Sequence, residues 1–261
     1  MKLIKTKLQN GLVLWYRSDD KYIGQRIALQ KYEEYESLLM LGNVNNDSVV
    51  VDVGANIGYY TLLLAKICKK VYAFEPDKTS FLILKKNVEE NKLKNVVLIN
   101  KAVSDKRGKV KFIHNGENFG DHKIKTPQSF GQLPLTGEPE TILCDSLDNI
   151  LKNEDRIDLI KIDVQGHEPE AIAGAEKIIK KHSPVLFLEF NGNNKMIEFL
   201  KKYYKNIFTI DYWFYILHLG IKIDRKLGYA DLLLTNKNIN MRERYKNLEW
   251  KKMVKKILGK S

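Results

Sequence analysis

The residues of greatest chemical interest are glycines and acids placed beside the ends of predicted strands. Val49–Val53 is an apolar, β-branched run interrupted only by Asp52, a composition typical of a parallel strand buried on both faces. Gly54 and Gly58 follow this run, and a helical pattern begins at Tyr59. Glycine allows the backbone to turn sharply and to approach a ligand closely. A strand, a glycine turn and a helix in this order present free backbone N–H groups to a ligand.

The acids near this turn suit two kinds of nucleotide ligand. Glu75 ends the next apolar run, Val71–Glu75, and a carboxylate at that strand tip can accept both hydroxyls of a ribose. Folds that bind NAD and folds that bind S-adenosylmethionine (SAM) share this acid, so Glu75 does not separate them. A dinucleotide fingerprint needs glycine where this chain has Asn56, which disfavours the pyrophosphate of NAD. SAM has an amino-acid end instead, and Asp52 can orient its ammonium directly or through water.

A second group of polar residues follows the predicted strand Ile157–Val164. A buried strand contains both Lys161 and Asp163 only if the two are paired or lie at its exposed end. Glu189, in the strand Val185–Phe190, faces the same rim of the predicted sheet. A carboxylate at this rim can remove the proton from an acceptor group beside a bound cofactor.

His167 and Glu168 begin the next helix and are further candidates for proton transfer. Histidine has a pKa near neutrality, although a histidine beside a glutamate at a helix start can equally be structural. Asp163 with Glu189 or Asn191 offers oxygen ligands that suit Mg²⁺, but no short-range spacing of metal ligands is present. We therefore expect the catalytic residues among Asp163, His167, Glu168 and Glu189, and no resident metal.

Four segments together match the pattern of a known family. They are Val-Val-Asp-Val-Gly-Ala-Asn-Ile-Gly-Tyr-Tyr-Thr (50–61), Ala-Phe-Glu-Pro (73–76), Asn-Val-Glu-Glu-Asn (87–91) and Ile-Asp-Leu-Ile-Lys-Ile-Asp-Val-Gln-Gly-His-Glu (157–168). In this order they resemble the FkbM family of SAM-dependent methyltransferases. The resemblance implies SAM as the cofactor and, as acceptor, a hydroxyl of a sugar, glycan or other small metabolite. The sequence departs from the family at Gln165, where the family usually has glutamate.

Strands and helices alternate along most of the chain, which predicts an α/β fold with a mostly parallel, doubly wound sheet and helices on both faces. The predicted strands are 49–53, 71–75, 96–100, 157–164, 185–190 and a final antiparallel pair, 206–211 and 229–235. These seven strands correspond to a Rossmann-like class I methyltransferase fold, in which ligands bind at the carboxyl ends of the strands. Ala102 and Val103 would then form the apolar wall of an adenine site. The candidate cofactor-binding residues are Asp52, Gly54, Asn56, Gly58, Tyr59, Glu75, Pro76, Ala102 and Val103.

The chain divides into an N-terminal extension, a main domain and a tail. The extension, residues 1–45, contains a predicted β-hairpin that turns at Asn-Gly (10–11) and an amphipathic helix, Gln25–Leu41. The main domain, residues 46–238, contains a loop at 115–140 that is rich in glycine and proline. A long loop without periodicity inside a compact domain is usually functional or mobile, so we expect a lid over the site.

The tail, residues 239–261, is basic. Within it, residues 249–261 place apolar residues and lysines on opposite faces of a predicted helix. This pattern suits peripheral contact with an anionic membrane or with a partner protein, and it equally suits packing on the chain's own domain.

Composition limits the remaining alternatives. The chain has 261 residues, 44% hydrophobic and 29% charged, as in globular proteins, and its two cysteines show no pairing pattern. Without an early apolar run that would form a signal peptide, we expect a cytoplasmic protein. The net charge of +12 raises the alternative of an RNA methyltransferase, but no RNA-binding module is recognisable, so we do not expect nucleic acid as a partner. A non-catalytic SAM-fold binding protein is the other alternative, and the oligomeric state stays open.

Overall fold

The computed structural model describes most of the chain. The described residues are 2–8, 10–29, 32–115, 118–120, 122–124, 138–210 and 229–238. The predicted tail and much of the predicted lid lie outside them. Within the described residues, no helix is both long enough and apolar enough to cross a bilayer.

Strands and helices are numbered in chain order. The strands are β1 (Leu3–Lys7), β2 (Val13–Arg17), β3 (Val49–Val53), β4 (Lys70–Phe74), β5 (Val96–Ile99), β6 (Ala102–Val103), β7 (Gly108–Ile113), β8 (Lys123–Ile124), β9 (Glu140–Asp145), β10 (Leu159–Ile162), β11 (Val185–Asn191), β12 (Asn206–Ile210) and β13 (Tyr229–Thr235). The helices are α1 (Gly24–Ala28), α2 (Glu34–Leu41), α3 (Tyr59–Ala65), α4 (Lys78–Glu90), α5 (Leu147–Ile150), α6 (Glu168–Ala173), α7 (Glu176–His182) and α8 (Asn194–Leu200).

The main sheet has the order β12-β13-β11-β10-β3-β4-β5. The five strands from β11 to β5 are parallel, and β13 runs antiparallel to both of its neighbours. The sheet is therefore mixed, as the final antiparallel pair requires, and the predicted class I methyltransferase fold is confirmed. Strand order changes direction at β3 and β10, where a crevice forms at the carboxyl ends.

Alternate residues of each strand pack into two hydrophobic cores, one on each face of the sheet. Val50 and Val71 belong to a core with α3, α4, the hairpin and the first two helices. Val51, Ile160 and Leu186 belong to a second core with α5 to α8. Every residue of β3 is buried, which explains why its sequence is an apolar run and not an alternating one.

A smaller sheet of order β6-β9-β7-β8 was not predicted. Two of its strands contain only two residues, too few for any periodicity to appear in the sequence. Its first strand, β6, consists of Ala102 and Val103, and it pairs with β9. The smaller sheet therefore holds the proposed adenine wall in place.

Two predicted helices are each broken into two. The predicted helix Gln25–Leu41 is replaced by α1 and α2, because Glu33 has a left-handed backbone with φ +38°, which a continuous α-helix excludes. The predicted helix after β10 is divided into α6 and α7 at Gly174, whose backbone lies directly against the carbonyl oxygen of Ser104. Asp148 accepts the N–H groups of Lys177 and Ile178 and so begins the second of these helices.

The hairpin is confirmed, and two asparagines of α4 join it to the main domain. Asn87 accepts the backbone N–H of Trp15 at 2.6 Å and donates to its carbonyl at 3.0 Å. Asn91 makes the same pair of bonds to Val13, at 2.8 and 2.6 Å. Each side-chain amide therefore satisfies both polar groups of one residue of β2. Asn87 also donates to the carbonyl of Ile57 in the turn before α3.

We predict that Asn87→Ala lowers the free energy of unfolding by about 2–3 kcal/mol, because it leaves partly buried backbone groups of Trp15 and the buried carbonyl of Ile57 without partners. Urea denaturation followed by circular dichroism measures the change. Lys85→Ala, on the exposed side of the same helix, is the matched control and should change stability by less than about 0.5 kcal/mol. Equal effects of the two substitutions would contradict the assigned role of Asn87.

Candidate active site

A cavity of about 380 Å³ opens at the carboxyl ends of β3, β4 and β10. Among the predicted catalytic residues, Asp163 and Glu189 line it. The predicted cofactor-binding residues in its lining are Gly54, Asn56, Tyr59, Glu75, Pro76, Ala102 and Val103. The fold therefore brings together, at one crevice, residues from five separate stretches of sequence.

Contacts inside the protein shape the turn after β3. Gly54 has φ +78°, and a Cβ at this position would overlap the carbonyl oxygen of Asp163 at the end of β10. Asn56 also has a left-handed backbone, with φ +50°, and its N–H donates to Glu75 at 2.7 Å. The requirement for glycine at position 54 thus comes from the contact between two strand ends.

Glu75 lies at the tip of β4 and is buried, yet it lines the cavity. Its Oε2 accepts the N–H of Asn56, and its Oε1 accepts the N–H of Asp77 at 2.8 Å. Burial raises the pKa of Glu75 to about 8, although both N–H groups oppose the shift. Each carboxylate oxygen can accept a further hydrogen bond, which fits two ribose hydroxyls.

Two predicted cofactor-binding residues lie behind the turn and not in the lining of the cavity. Asp52 is fully buried, and its Oδ2 accepts the hydroxyl of Thr61 at 2.6 Å, because its position in β3 directs the side chain toward α3. Burial raises the pKa of Asp52, against the opposing charge of Lys161. Gly58 supplies the left-handed residue before α3, where a Cβ would overlap Leu84. Both residues support the turn, and their contact with a cofactor, which for Asp52 is expected directly or through water, stays a prediction.

One lysine and two acids form the floor of the cavity. Lys161 donates to Oδ2 of Asp163 at 3.1 Å, so the pair predicted for the end of this strand is present. Gln165 donates from Nε2 to Oδ1 of Asp163 at 2.9 Å and to Oε2 of Glu189 at 3.0 Å. The two acids, which come from the ends of neighbouring strands, are thus joined by one amide group.

The two acids on the floor have opposite pKa shifts. Burial acts to raise the pKa of Asp163, but Lys161 and the bond from Gln165 outweigh it and hold the pKa below its ordinary value. Burial raises the pKa of Glu189 to about 10, and the neighbouring charge of Asp163 adds to that effect. At neutral pH the pair therefore consists of an ionised Asp163 and a protonated Glu189.

His167 and Glu168 are absent from the described lining of the cavity, and their catalytic role stays a prediction. The imidazole Nε2 of His167 lies 3.0 Å from the hydroxyl of Ser104, in a buried contact on the far side of the turn. Glu168 is fully buried, and its carboxylate accepts the backbone N–H groups of Val164 and Gly166. Both residues shape the turn after β10. Their neighbours Asp163, Val164 and Gln165 line the cavity.

A smaller cavity of about 150 Å³ adjoins the first and shares its acidic floor. Sequence reasoning missed three acids that line it: Glu33, Glu36 and Asp231. Burial raises the pKa of all three, to about 6 for Glu36 and about 7 for Asp231. Asp231 lies beside Glu189 because the two residues are paired between β11 and β13. The predicted final antiparallel strand was therefore the one sequence signal that could have pointed to Asp231.

The described part of the predicted lid lies against the cavity. The side-chain amide of Asn56 donates to the carbonyl of Phe119 at 3.1 Å. Arg17 stacks on the Phe119 ring, with its guanidinium carbon 3.7 Å from the ring centroid, and Gly120 packs against Ile23. This loop and the N-terminal extension thus form one wall together, while movement of the loop as a lid stays a prediction.

Asp77, His114 and His122 place ligand-type atoms within 4.8 Å of one another at the rim of the cavity. Polar contacts account for much of this arrangement, because the ring nitrogens of His114 lie 3.3 Å from a carboxylate oxygen of Asp77 and 3.2 Å from one of Glu140. His122 accepts the N–H of Asn115 at Nδ1, so a neutral ring has its proton on Nε2. This hydrogen-bond pattern does not favour metal ligation by His122.

Comparison with known proteins gives a match to one family. The sequence model of the methyltransferase FkbM domain matches residues 52–228. The crystal structure of methyltransferase FkbM from Methylobacillus flagellatus is 18% identical, with a TM-score of 0.43, and the match covers 73% of this chain and 44% of that one.

Two proteins of Methanocaldococcus jannaschii also match. The tRNA(Phe) (4-demethylwyosine(37)-C(7)) aminocarboxypropyltransferase is 44% identical over 69 residues, which are 26% of this chain and 27% of that protein. The solved tRNA m1G37 methyltransferase is 17% identical, with a TM-score of 0.45, over 90% of this chain and 55% of that one. The chain thus spans about a quarter of the curated relative's length.

We predict that affinity for an adenosine ligand rises with pH between about 6.5 and 8.5. Ribose hydroxyls donate to an ionised carboxylate, and Glu75, with a pKa of about 8, is mostly protonated at the lower end of that window. The dissociation constant for SAM should fall by up to about tenfold per pH unit until Glu75 is ionised. Calorimetric titration at several pH values measures this dependence.

Glu75→Gln is the matched control for this pH dependence. Any titration of the ligand itself affects both proteins equally, so the difference between their pH profiles isolates Glu75. Above pH 8 the variant should bind SAM more weakly than the original protein. Its affinity should also lose the part of the pH dependence that comes from the ionisation of Glu75. Parallel profiles for the two proteins would contradict the ribose assignment.

Proposed function

The chain belongs to the FkbM methyltransferase family, and we propose that it methylates a hydroxyl oxygen of a sugar, glycan or other small metabolite. SAM is the methyl donor, and when bound it supplies an electrophilic methyl group on a sulfonium. The acid pair Asp163 and Glu189, in the cavity that contains the cofactor-binding turn, supports an oxygen acceptor above all. A hydroxyl must lose its proton during methylation, and a nearby carboxylate can receive it.

The residues of the cavity divide between the two substrates. Glu75 fits the ribose hydroxyls, and Ala102 and Val103 form the apolar wall for adenine. Asp163 and Glu189 orient the acceptor hydroxyl, and the ionised Asp163 receives its proton as the oxygen attacks. The wall formed by the extension and the loop excludes water from the reacting groups, which favours the aligned geometry that methyl transfer needs.

Charge at the floor of the cavity favours a small acceptor that lacks phosphate. Three further acids, Glu33, Glu36 and Asp231, face the same space, with Lys161 as the cation in the described lining of the smaller cavity. A phosphate group placed here would meet carboxyl groups that must stay protonated or repel it. This observation weighs against an RNA acceptor, in spite of the net charge of +12.

Acceptor screening tests the proposal directly. The protein is incubated with SAM and matched sets of sugars, glycans and small alcohols, and the transferred methyl group is located by mass spectrometry. Calorimetry with SAM, and with NAD⁺ as a control, first establishes that the cofactor binds. Methyl transfer to RNA together with salt-sensitive RNA binding would favour the RNA alternative. SAM binding without turnover on any acceptor would favour a non-catalytic binding protein.

We predict that Glu189→Gln and Asp163→Asn each lower kcat by about 10²- to 10⁴-fold, because each removes a carboxyl group from the acid pair. Dissociation constants for SAM should stay within about threefold of the original, because neither substitution alters the ribose or adenine contacts. Glu198→Gln, an exposed residue of α8, is the control and should keep full activity. Unchanged turnover in either acid variant would remove that acid from the reaction.

A further inference from the structure

The side-chain nitrogen of Gln165 contacts both acids on the cavity floor, which also hydrogen-bond to each other. Its nitrogen lies 2.9 Å from Oδ1 of Asp163 and 3.0 Å from Oε2 of Glu189. A carboxamide nitrogen has two N–H groups, so each acid receives one of them. The other oxygen of Asp163 takes its bond from Lys161, at 3.1 Å.

The turn holds Gln165 in this position at a conformational cost. Its backbone is left-handed, with φ +54°, a region that residues other than glycine rarely occupy. The buried carboxylate of Glu168 fixes the turn, since it accepts the N–H of Val164 at 3.1 Å and that of Gly166 at 3.0 Å. A relaxed backbone would point the amide elsewhere, so the arrangement is specific to this turn.

We propose that Gln165 is a positioning residue that takes the place of a cation between Asp163 and Glu189, so that the acid pair is held ready for the acceptor hydroxyl without a metal ion. The role in the reaction rests on the proposed methyltransferase activity. The replacement of a cation is a separate claim, because it concerns only the geometry of three side chains.

The chemistry of the donor set supports this role. Asp163 and Glu189 belong to adjacent strands and direct oxygen atoms toward one point, an arrangement that suits a hard cation such as Mg²⁺ or Mn²⁺. The amide N–H groups of Gln165 fill that point with positive partial charge. A glutamate at position 165 would instead add a third carboxyl group at hydrogen-bond distance, and the cluster would need protons or a divalent cation.

The decisive experiment converts the amide to an acid. Gln165→Glu and the original protein are titrated with Mn²⁺, with binding followed by the loss of the free-ion signal in electron paramagnetic resonance. The variant should bind Mn²⁺ at least about tenfold more tightly than the original protein, because the number of anionic ligands increases. Gln25→Glu, the same change on α1, is the control and should gain no binding.

A double variant locates the bound ion. Adding Glu189→Gln to Gln165→Glu should abolish the gained Mn²⁺ binding, because one of the three carboxyl groups is lost. If Gln165→Glu folds only when Mn²⁺ is present, recovery of a cooperative melting transition on adding Mn²⁺ reports the same site. Equal Mn²⁺ affinity in the original protein and in Gln165→Glu would overturn the proposal, and so would a gain that the double variant keeps.

Turnover separates this inference from the proposed function. With an acceptor in hand, Gln165→Ala should lower kcat at least about tenfold while the dissociation constant for SAM changes less than about threefold. Gln165→Glu should recover activity on addition of Mn²⁺, which a purely structural role does not predict. Unaltered kcat in Gln165→Ala would overturn the positioning role. Failure of every protein to bind SAM would instead reject the methyltransferase, with the Mn²⁺ comparison still deciding whether Gln165 replaces a cation.

Discussion

The structure of the site depends on the direct contact between the turn after β3 and the end of β10. Gly54 lies so close to the carbonyl of Asp163 that no side chain fits between them. The two strands are adjacent and parallel, so their carboxyl ends emerge side by side, while the chain leaves them in opposite directions. A side chain at position 54 would collide with that carbonyl and force the two exits apart. The absence of a Cβ at Gly54 therefore allows the part of the cavity containing Glu75 and the part containing Glu189 to form one space.

Charged neighbours, and not burial alone, determine whether each of the two acids on the cavity floor is protonated. Asp163 and Glu189 are both withdrawn from water, which by itself raises the pKa of each carboxyl group. Asp163 faces the ammonium of Lys161, and this attraction outweighs the cost of burial. Glu189 has another carboxylate as its nearest charge, so repulsion and burial act in the same direction. One buried lysine therefore accounts for much of the difference in pKa between two neighbouring acids.

The sequence predicted the main sheet well because its signals are local. The apolar run Val49–Val53 is a strand with the same limits, and the Asn-Gly turn forms the expected hairpin. The broken helices were missed because the left-handed backbone of Glu33 and the close approach at Gly174 are imposed by tertiary contacts. The orientation of His167 likewise depends on a tertiary contact, with a serine 63 positions away.

The sequence predicts some parts of the candidate site better than others. The residues proposed to contact the cofactor follow from motifs because one short turn and one strand tip supply most of them. The proposed acceptor side gathers Glu33 from the N-terminal extension and Asp231 from the last described strand, which have no spacing in common. Only the folded sheet brings them to the same space.

Asn87 of α4 links the N-terminal hairpin to the turn after β3. Asn87 bonds to Trp15 of the hairpin and to Ile57 of the cofactor turn, so a single side chain fixes the distance between them. The hairpin ends at Arg17, which stacks on Phe119, and the carbonyl of Phe119 in turn accepts a bond from the same cofactor turn. These contacts form a closed circuit of hydrogen bonds and stacking. Because the circuit passes through the extension, the extension helps to hold the turn that contains Asn56 and Ile57.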